Sequence, residues 1–171
     1  MPKLRWVERK FDFDFPLGLY PDIIERVRGT PARIEERVRD VPTSVLTRRH
    51  QNTWSIQENI GHLLDLEELH LGRLDDYAAN AQMLRAADMS NRATNEACHN
   101  DRSLVELVGA FRRERGRFVE RVERLSEAEL ARSALHPRLG VPMRQIDCVY
   151  FCACHDDYHL ARIGELLRLF R

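Results

Sequence analysis

The sequence lacks an excess of charge of either sign, since it contains 27 lysine and arginine residues and 27 aspartate and glutamate residues. A protein that binds nucleic acid without sequence preference needs surplus positive charge to neutralise phosphates. The balance therefore argues against a nucleic-acid-binding protein. The sequence also lacks an apolar run of about 20 residues, the length that a helix needs to cross a membrane. We expect no transmembrane helix and no membrane partner.

Residues 1–10 lack the apolar core of a secretory signal peptide, and we predict a cytoplasmic protein. The sequence has no Cys-x-x-Cys pair, so neither a zinc ribbon nor a thioredoxin motif is indicated. In a reducing compartment, cysteines are more often small buried hydrophobic residues than disulfide partners, and we expect this here. The cysteines are Cys98, Cys148, Cys152 and Cys154.

Patterns typical of β-strands are scarce. Apolar residues alternate with polar ones in one short stretch, residues 11–15, which ends at Pro16. We predict that this stretch is an extended N-terminal arm that lays its phenylalanines on the body of the protein. Internal repeats and low-complexity tracts are absent, so residues 1–171 are expected to form a single domain.

Helical periodicity dominates the rest of the sequence and predicts four long helices. The first spans residues 21–41 and is interrupted at Gly29, because Pro31 suits a first helical turn and Thr30 can cap it. The second begins near Trp54 and continues for about six turns. Four such helices without strands pack most simply as an all-α four-helix bundle.

Capping sequences mark where two of these helices start. Ser55 and Glu58 form the Ser-x-x-Glu pattern of a capping box at the second helix, and Ser103 and Glu106 repeat it at the third. Residues 78–102, between these helices, are less regular and are predicted to form a loop with short helical pieces.

The last helix is predicted to begin at Pro142 and to end near Phe170, after a loop that contains His136 and Gly140. Proline is favoured in the first turn of a helix because its missing N–H would have no partner there in any case.

The most informative residues are His155 and His159, which lie four residues apart in the last predicted helix. This spacing stacks two imidazoles one turn apart on the same helix face. A third imidazole, best supplied by His62 in the second helix, would complete a site for a divalent transition metal with one position open for chemistry. Because the chain has 7 histidines in 171 residues, one such pair can arise by chance, so a bundle without metal stays open on spacing alone.

Other polar residues could support such a site. Glu58 and Asp65 lie one turn on either side of His62 and could orient its ring or take part in catalysis, although Glu58 could equally be the capping-box partner alone. His136 could reach the site from its loop as a general acid, a general base or a substrate contact, or could lie on the surface. Cys152 could add a thiolate ligand.

The remaining histidines and a basic segment carry no such pattern. We expect His50, His70 and His99 to be structural or solvated. Residues 112–117 are rich in arginine but are balanced by acids along the third helix. We predict a solvated helix face with surface ion pairs, each of small energy.

Three stretches of the sequence resemble the DinB/YfiT-like family of bacterial four-helix-bundle metalloproteins. The marks of the resemblance are the Trp-Ser pair followed by a histidine and the final His-x-x-x-His. The stretches are residues 54–67, 136–143 and 155–163.

The resemblance implies that His62, His155 and His159 bind a divalent ion, with zinc or nickel expected, and that the protein is a homodimer. It also implies a thiol-dependent transferase or isomerase that acts on a small molecule with a low-molecular-weight thiol. Two alternatives stay open. One is a metal-activated hydrolase, and the other is a metal-binding stress or accessory protein without catalysis.

Overall fold

Helices make up most of residues 4–170, which are the residues that the computed structural model describes. Residues 1–3 and 171, at the ends of the predicted domain, lie outside them. The helices in chain order are α1 Tyr20–Arg28, α2 Thr30–Val38, α3 Thr43–Leu46, α4 Ile56–Asp65, α5 Glu67–Ala78, α6 Arg92–Glu96, α7 Leu104–Glu123, α8 Glu127–Leu130 and α9 Gln145–Phe170. Two short strands, β1 Ser133–Leu135 and β2 Pro142–Arg144, pair as an antiparallel hairpin. None of the helices within residues 4–170 has the length and apolarity that crossing a bilayer requires.

The predicted four-helix bundle is confirmed. The bundle has four long helical segments, which we call rods. The first consists of α1 and α2, the second of α4 and α5, the third of α7 and the fourth of α9. The core has two layers along the bundle, because each of the first two rods contributes a different helix to each layer. One layer joins α2, α4, α7 and α9 through Ile34, Ile60, Phe111 and Ile163, and the other joins α1, α5, α7 and α9 through Val27, Leu74, Phe118 and Val149.

The interruption of the first rod lies where the sequence predicted it, at Gly29 between α1 and α2. The prediction that Thr30 caps α2 is wrong, because Thr30 lies inside the first turn and its hydroxyl is buried. That hydroxyl lies 3.2 Å from the carbonyl oxygen of Arg26 and 2.7 Å from Oδ2 of Asp156. A buried hydroxyl needs a partner, and here the partner belongs to α9.

The second rod was predicted as one helix and instead has a slight break at Leu66. The amide of Leu66 still donates to the carbonyl oxygen of His62, so the axis continues into α5. The predicted capping box is confirmed at the start of α4. The Glu58 amide donates to Ser55 Oγ at 3.0 Å, and the Ser55 amide donates to Glu58 Oε2 at 2.8 Å.

The last helix begins at Gln145, so the prediction that Pro142 opens it is wrong. Pro142 lies in β2 opposite Leu135, and the side chain of Asp147 caps α9 by accepting from the Arg144 amide at 2.7 Å. Strands of three residues are too short to show an alternating pattern, so the hairpin left no mark in the sequence.

The predicted N-terminal arm is confirmed and packs against α9. The ring centroid of Phe11 lies 4.8 Å from that of Phe151, and the ring of Phe15 lies 5.1 Å from that of Tyr150. Ahead of these phenylalanines, a 3₁₀ turn at Trp6–Glu8 brings the Trp6 indole to 4.8 Å from the imidazole of His155. The arm therefore covers the histidine face of α9.

The arginine-rich segment of α7 was predicted to be a solvated helix face, and this prediction is wrong for one of its arginines. Arg112 and Arg117 are exposed as expected, but the side chain of Arg115 is only 1% exposed. Its guanidinium forms ion pairs with Glu67 of α5 and Asp156 of α9. Since Arg115 lies on the inner face of α7, its side chain extends into the core, and its ion pairs connect α7 to α5 and α9.

This buried network holds two carboxyl groups for one guanidinium, so its ionised form would carry an excess negative charge. Burial raises the pKa of Glu67 to about 7. Its Oε1 accepts from Arg115 at 2.6 and 3.0 Å, whereas its Oε2 is buried without a partner among the described residues. A proton on Glu67 relieves the excess charge.

A pH dependence of stability follows from this raised pKa. The folded state holds the Glu67 proton above the pKa of the unfolded chain, so stability is fully present below about pH 4.5 and is lost as the pH rises through about 7. Relative to Glu67→Gln, which cannot titrate, we expect the wild type to lose on the order of 2 kcal/mol between pH 5 and 8.5. Urea unfolding at both pH values measures the difference. Glu120→Gln, which removes an exposed carboxylate of α7, should show no such trend, and a flat Glu67 difference would contradict the prediction.

Candidate metal centre

Three buried imidazoles converge between α4 and α9. His62 lies in the last turn of α4, and His155 and His159 lie on one face of α9. One ring nitrogen from each histidine lies within 4.8 Å of the others. The Nε2 atoms of His155 and His159 are 3.2 Å apart. Two nitrogens that bind one tetrahedral zinc ion at about 2.0–2.1 Å lie roughly 3.3 Å apart, so the spacing of His155 and His159 fits two ligands of one ion.

The ring of His62 is held by a hydrogen-bonded chain that ends on Asp65. Its Nδ1 lies 3.0 Å from Oγ1 of Thr94, and that hydroxyl donates to Oδ2 of Asp65 at 2.7 Å. Because the hydroxyl hydrogen is given to the carboxylate, the hydroxyl oxygen accepts from His62, and the proton of His62 is on Nδ1. Its Nε2 lone pair is then available to a metal ion.

The ring of His159 is oriented in the same manner by Asn59 of α4. His159 Nδ1 lies 2.8 Å from Oδ1 of Asn59, while the Asn59 amide nitrogen donates to the carbonyl oxygen of Ser55 at 2.7 Å. The amide orientation makes Oδ1 an acceptor, so His159 carries its proton on Nδ1 and presents the Nε2 lone pair.

Burial keeps His62 and His155 neutral. Desolvation lowers the pKa of His62 to about 4, and it also holds the pKa of His155 well below its usual range. Nδ1 of His155 is buried and has no hydrogen-bond partner within residues 4–170. Transition metals bind the neutral form of imidazole, so the donor set fits a divalent transition-metal ion.

The cluster faces a cavity of about 570 Å³, which is large enough for a small organic molecule. Its walls near the histidines are mostly aromatic. The ring of Trp54 lies 4.6 Å from that of His62, and Trp6 of the N-terminal arm covers His155. Phe151 and Tyr158 of α9 complete this part of the wall.

The family model of the DinB superfamily matches residues 26–163, a range that includes His62, His155 and His159. The chain belongs to the DinB superfamily. No curated protein sequence matches it.

Among solved structures, this DinB-superfamily chain is similar to YfiT from Bacillus subtilis, described as a probable metal-dependent hydrolase with an unusual four-helix bundle topology. The TM-score is 0.81, and the match covers 94% of this chain and 93% of the YfiT chain at 18% sequence identity. At that identity the likeness shows a shared fold.

The two carboxylates expected to support the site have different surroundings. Glu58 forms an ion pair with Arg49 and accepts from the Ser55 amide, so it serves the capping box and does not contact the histidines. Asp65 reaches His62 through Thr94. The contacts of Glu58 therefore agree with the alternative interpretation, in which Glu58 is the capping-box partner alone. Asp65 supports His62 through the hydroxyl of Thr94.

Asp65 is itself held by His99, whose Nε2 lies 2.9 Å from Asp65 Oδ2. The ring of His99 packs directly on the backbone of α4 at Gly61, where a Cβ atom would come within 2.2 Å of it. A glycine is therefore required immediately before the metal-site histidine of α4. The expectation of a structural role fits His99, which is fully buried.

Two further residues that the sequence suggested for the metal centre, His136 and Cys152, lie in different parts of the structure. His136, which follows β1, lines the same cavity as the three histidines and is buried. Cys152 is buried in the core layer of Val149 and Phe118 and does not join the three-histidine group. Burial raises the pKa of its thiol well above the usual range, which also disfavours a thiolate ligand.

Sequence reasoning missed the residues that orient the histidines and part of the cavity wall. Asn59 precedes His62 by three residues and so shares its helix face, a spacing that could have identified it. Thr94 lies in the irregular segment between α5 and α7, where no periodicity places it. His70, expected to be structural or solvated, is buried and lines the cavity.

Proposed function

We propose that this DinB-superfamily chain is a divalent-metal-dependent enzyme in which His62, His155 and His159 bind the ion. The observation that carries the proposal is the convergence of three buried imidazoles, with one ring nitrogen of each within 4.8 Å of the others, beside a cavity. Zinc and nickel are the ions that we propose, because imidazole ligands suit both. An ion bound by three protein ligands keeps at least one position for a reactant, as catalytic zinc sites do.

The protein's own residues prepare the site before any reactant enters. Thr94 and Asn59 fix the tautomers of His62 and His159, so both rings present an Nε2 lone pair before the ion binds. The indoles of Trp6 and Trp54 cover the rings and reduce the access of bulk water. An ion bound there would supply Lewis-acid activation of a thiol or of a water molecule.

The reaction that we propose is S-transfer from a low-molecular-weight thiol, or an isomerisation that depends on one. In the transfer, the sulfur of RSH forms a bond to an electrophilic carbon of R′X, the carbon–X bond breaks, and the proton leaves with X as HX. The family resemblance supports this reaction class, and the mostly aromatic wall suits an organic electrophile.

Hydrolysis is the second candidate, and the fold shared with YfiT favours it. In this reaction water replaces the thiol, adding to an ester or amide carbonyl so that an acid and an alcohol or amine are released. The two candidates differ in one simple requirement, since hydrolysis proceeds without any thiol.

The proposal is tested by metal content and turnover on protein purified without a histidine tag. Plasma mass spectrometry should find about one equivalent of zinc, nickel or another divalent ion, and the His62→Ala variant should lose it. His50→Ala is the matched control, because His50 lies outside the cavity near Phe170.

Turnover is measured with cysteine and 1-chloro-2,4-dinitrobenzene for S-transfer, and with p-nitrophenyl acetate in the absence of thiol for hydrolysis. Metal-dependent loss of thiol supports the first reaction, and metal-dependent ester cleavage supports the second. Tight metal binding with neither reaction would favour a metal-binding accessory protein. Thiol loss that persists unchanged after the metal is stripped would defeat S-transfer at this site. The homodimer and the cytoplasmic location stay predictions.

A further inference from the structure

The cavity beside the histidine cluster is also lined by a second group of polar residues, which do not belong to the metal centre. His136, at the end of the β1 strand, receives a hydrogen bond on Nδ1 from the Leu139 amide at 3.2 Å. Nδ1 is therefore an acceptor, and the hydrogen of the neutral ring is on Nε2. Nε2 is buried without a partner within residues 4–170, and the residue is only 2% exposed. His136 thus presents an unused hydrogen-bond donor.

Arg138, two residues further along the same turn, also has a hydrogen-bond donor without a partner among the described residues. Its guanidinium lies over the ring of Phe151, 5.6 Å from the centroid, and its Nη2 is buried without a hydrogen-bond partner. No carboxylate of the part of the chain that the structure describes lies within ion-pair distance of it. Burial and the nearby charge of Arg73 lower the pKa of Arg138.

Arg73 of α5 adds a second cation to the same cavity and is only 3% exposed. Its Nε and Nη2 lie 3.3 Å from the carbonyl oxygen of Arg85, a neutral acceptor at the limit of hydrogen bonding. The carboxylate of Asp76 is engaged by the side chain and the amide of Arg85. Within residues 4–170, Arg73 also lacks an ion pair, although it contacts the thiol of Cys148.

The other charged residues around this cavity do not balance the two arginines. Asp88 on the cavity wall accepts from Ser90 and from the Arg92 amide at 2.9 Å, and it is exposed. Arg5, also on the wall, is paired with Glu8.

His62 and His155 of the metal centre are kept neutral by burial and supply no charge. Arg73 is buried, and Arg138 is partly exposed with its Nη2 buried. A buried cation costs free energy unless an anion pairs with it, and the described residues around the cavity supply none for Arg73.

We propose that His136, Arg138 and Arg73 form a subsite for the carboxylate of a small organic molecule, whose apolar part lies against Phe151 and Trp6 beside the metal centre. Guanidinium groups bind carboxylates with paired hydrogen bonds, and the imidazole N–H of His136 adds a neutral donor. The carboxylate supplies the acceptor atoms and the negative charge that the described residues lack. Its identification as the substrate's acid group rests on the proposed function, whereas the binding itself does not.

Benzoate is the probe, and benzamide is its neutral counterpart of the same shape. The chain has two tryptophans, Trp6 and Trp54, and both line the cavity, so their fluorescence reports binding. We expect benzoate to bind at least about 10-fold more tightly than benzamide, and Arg138→Met to weaken benzoate by about 10-fold or more. Arg138→Lys, which keeps the charge but not the paired geometry, should lie between. Arg117→Met removes an exposed arginine of α7 and should change nothing.

The same titration is made on protein as purified and after removal of metal with a chelator. Benzoate binding should persist in both, because the subsite does not include the ion. Binding that requires the metal, or equal affinities for benzoate and benzamide, would overturn the subsite. Tighter binding of phenylphosphonate than of benzoate would overturn the carboxylate assignment in favour of phosphate chemistry. If the wild type binds benzoate but no metal, the metal-dependent enzyme fails and the subsite stands.

Discussion

Replacing His155 with alanine is expected to abolish tight metal binding and to leave the helical bundle folded. The imidazole supplies one of three nitrogens, and even the residues that orient metal ligands are worth about 10–100-fold in affinity, so the loss of a ligand should exceed about 100-fold. The fold should persist because the two core layers of the bundle do not depend on this ring. Metal affinity is measured by competition with a chromogenic chelator, and the helical content by circular dichroism.

A graded series makes this result specific. Thr94→Val removes the hydroxyl that fixes the tautomer of His62 and should weaken metal binding by about 10-fold or more, but less than His155→Ala. Thr53→Val alters an exposed hydroxyl and should leave affinity unchanged. If His155→Ala unfolds in the absence of metal, the ring is structural, and the metal-centre assignment of that residue fails.

Arg115→Met should cause the largest loss of stability of any single substitution considered for this chain. It leaves the carboxylate of Asp156 buried without its guanidinium, which typically costs about 3–5 kcal/mol. Arg115 also binds the carbonyl oxygen of Val27 and the carboxyl of Glu67, so contacts to α1 and α5 are lost together. Urea unfolding of the variant and the wild type at pH 7 measures the difference.

Two controls separate the buried charge from the loss of side-chain volume. Adding Asp156→Asn to Arg115→Met removes the unpaired charge and should recover part of the loss. Arg117→Met, two residues away on the exposed face of α7, should change the free energy of unfolding by less than about 0.5 kcal/mol. A loss of that small size for Arg115→Met would show that its ion pairs contribute little to the fold.

The helices and the three candidate ligands could be predicted because their patterns are local. The capping box of Ser55 and Glu58 and the apolar periodicity of α7 depend on residues within a few positions of one another. The spacing of His155 and His159 determines that they share a face of α9. The assignment of His62 as their partner came from the bundle topology and the family resemblance, and the structure brings all three together.

The predictions from sequence were wrong for residues whose surroundings are formed by a distant part of the chain. Charge balance along α7 suggested a solvated face, but it could not show that Arg115 turns inward toward Asp156. Thr30 has the composition of a cap, and its hydroxyl instead binds α9. Pro142 has the composition of a helix start, and it pairs with β1 because the hairpin precedes Asp147, which caps α9.

By itself, the sequence determined an all-helical bundle, the histidines that could bind a metal and an extended N-terminal arm, because periodicity, capping and spacing are short-range properties. Only the tertiary structure decided which polar groups those histidines meet. Thr94 and Arg138 come from segments without periodicity, and Arg73 comes from α5, so their proximity depends on how the loops pack against the helices. A hydrogen bond or an unbalanced charge exists only between groups that the whole fold has brought together.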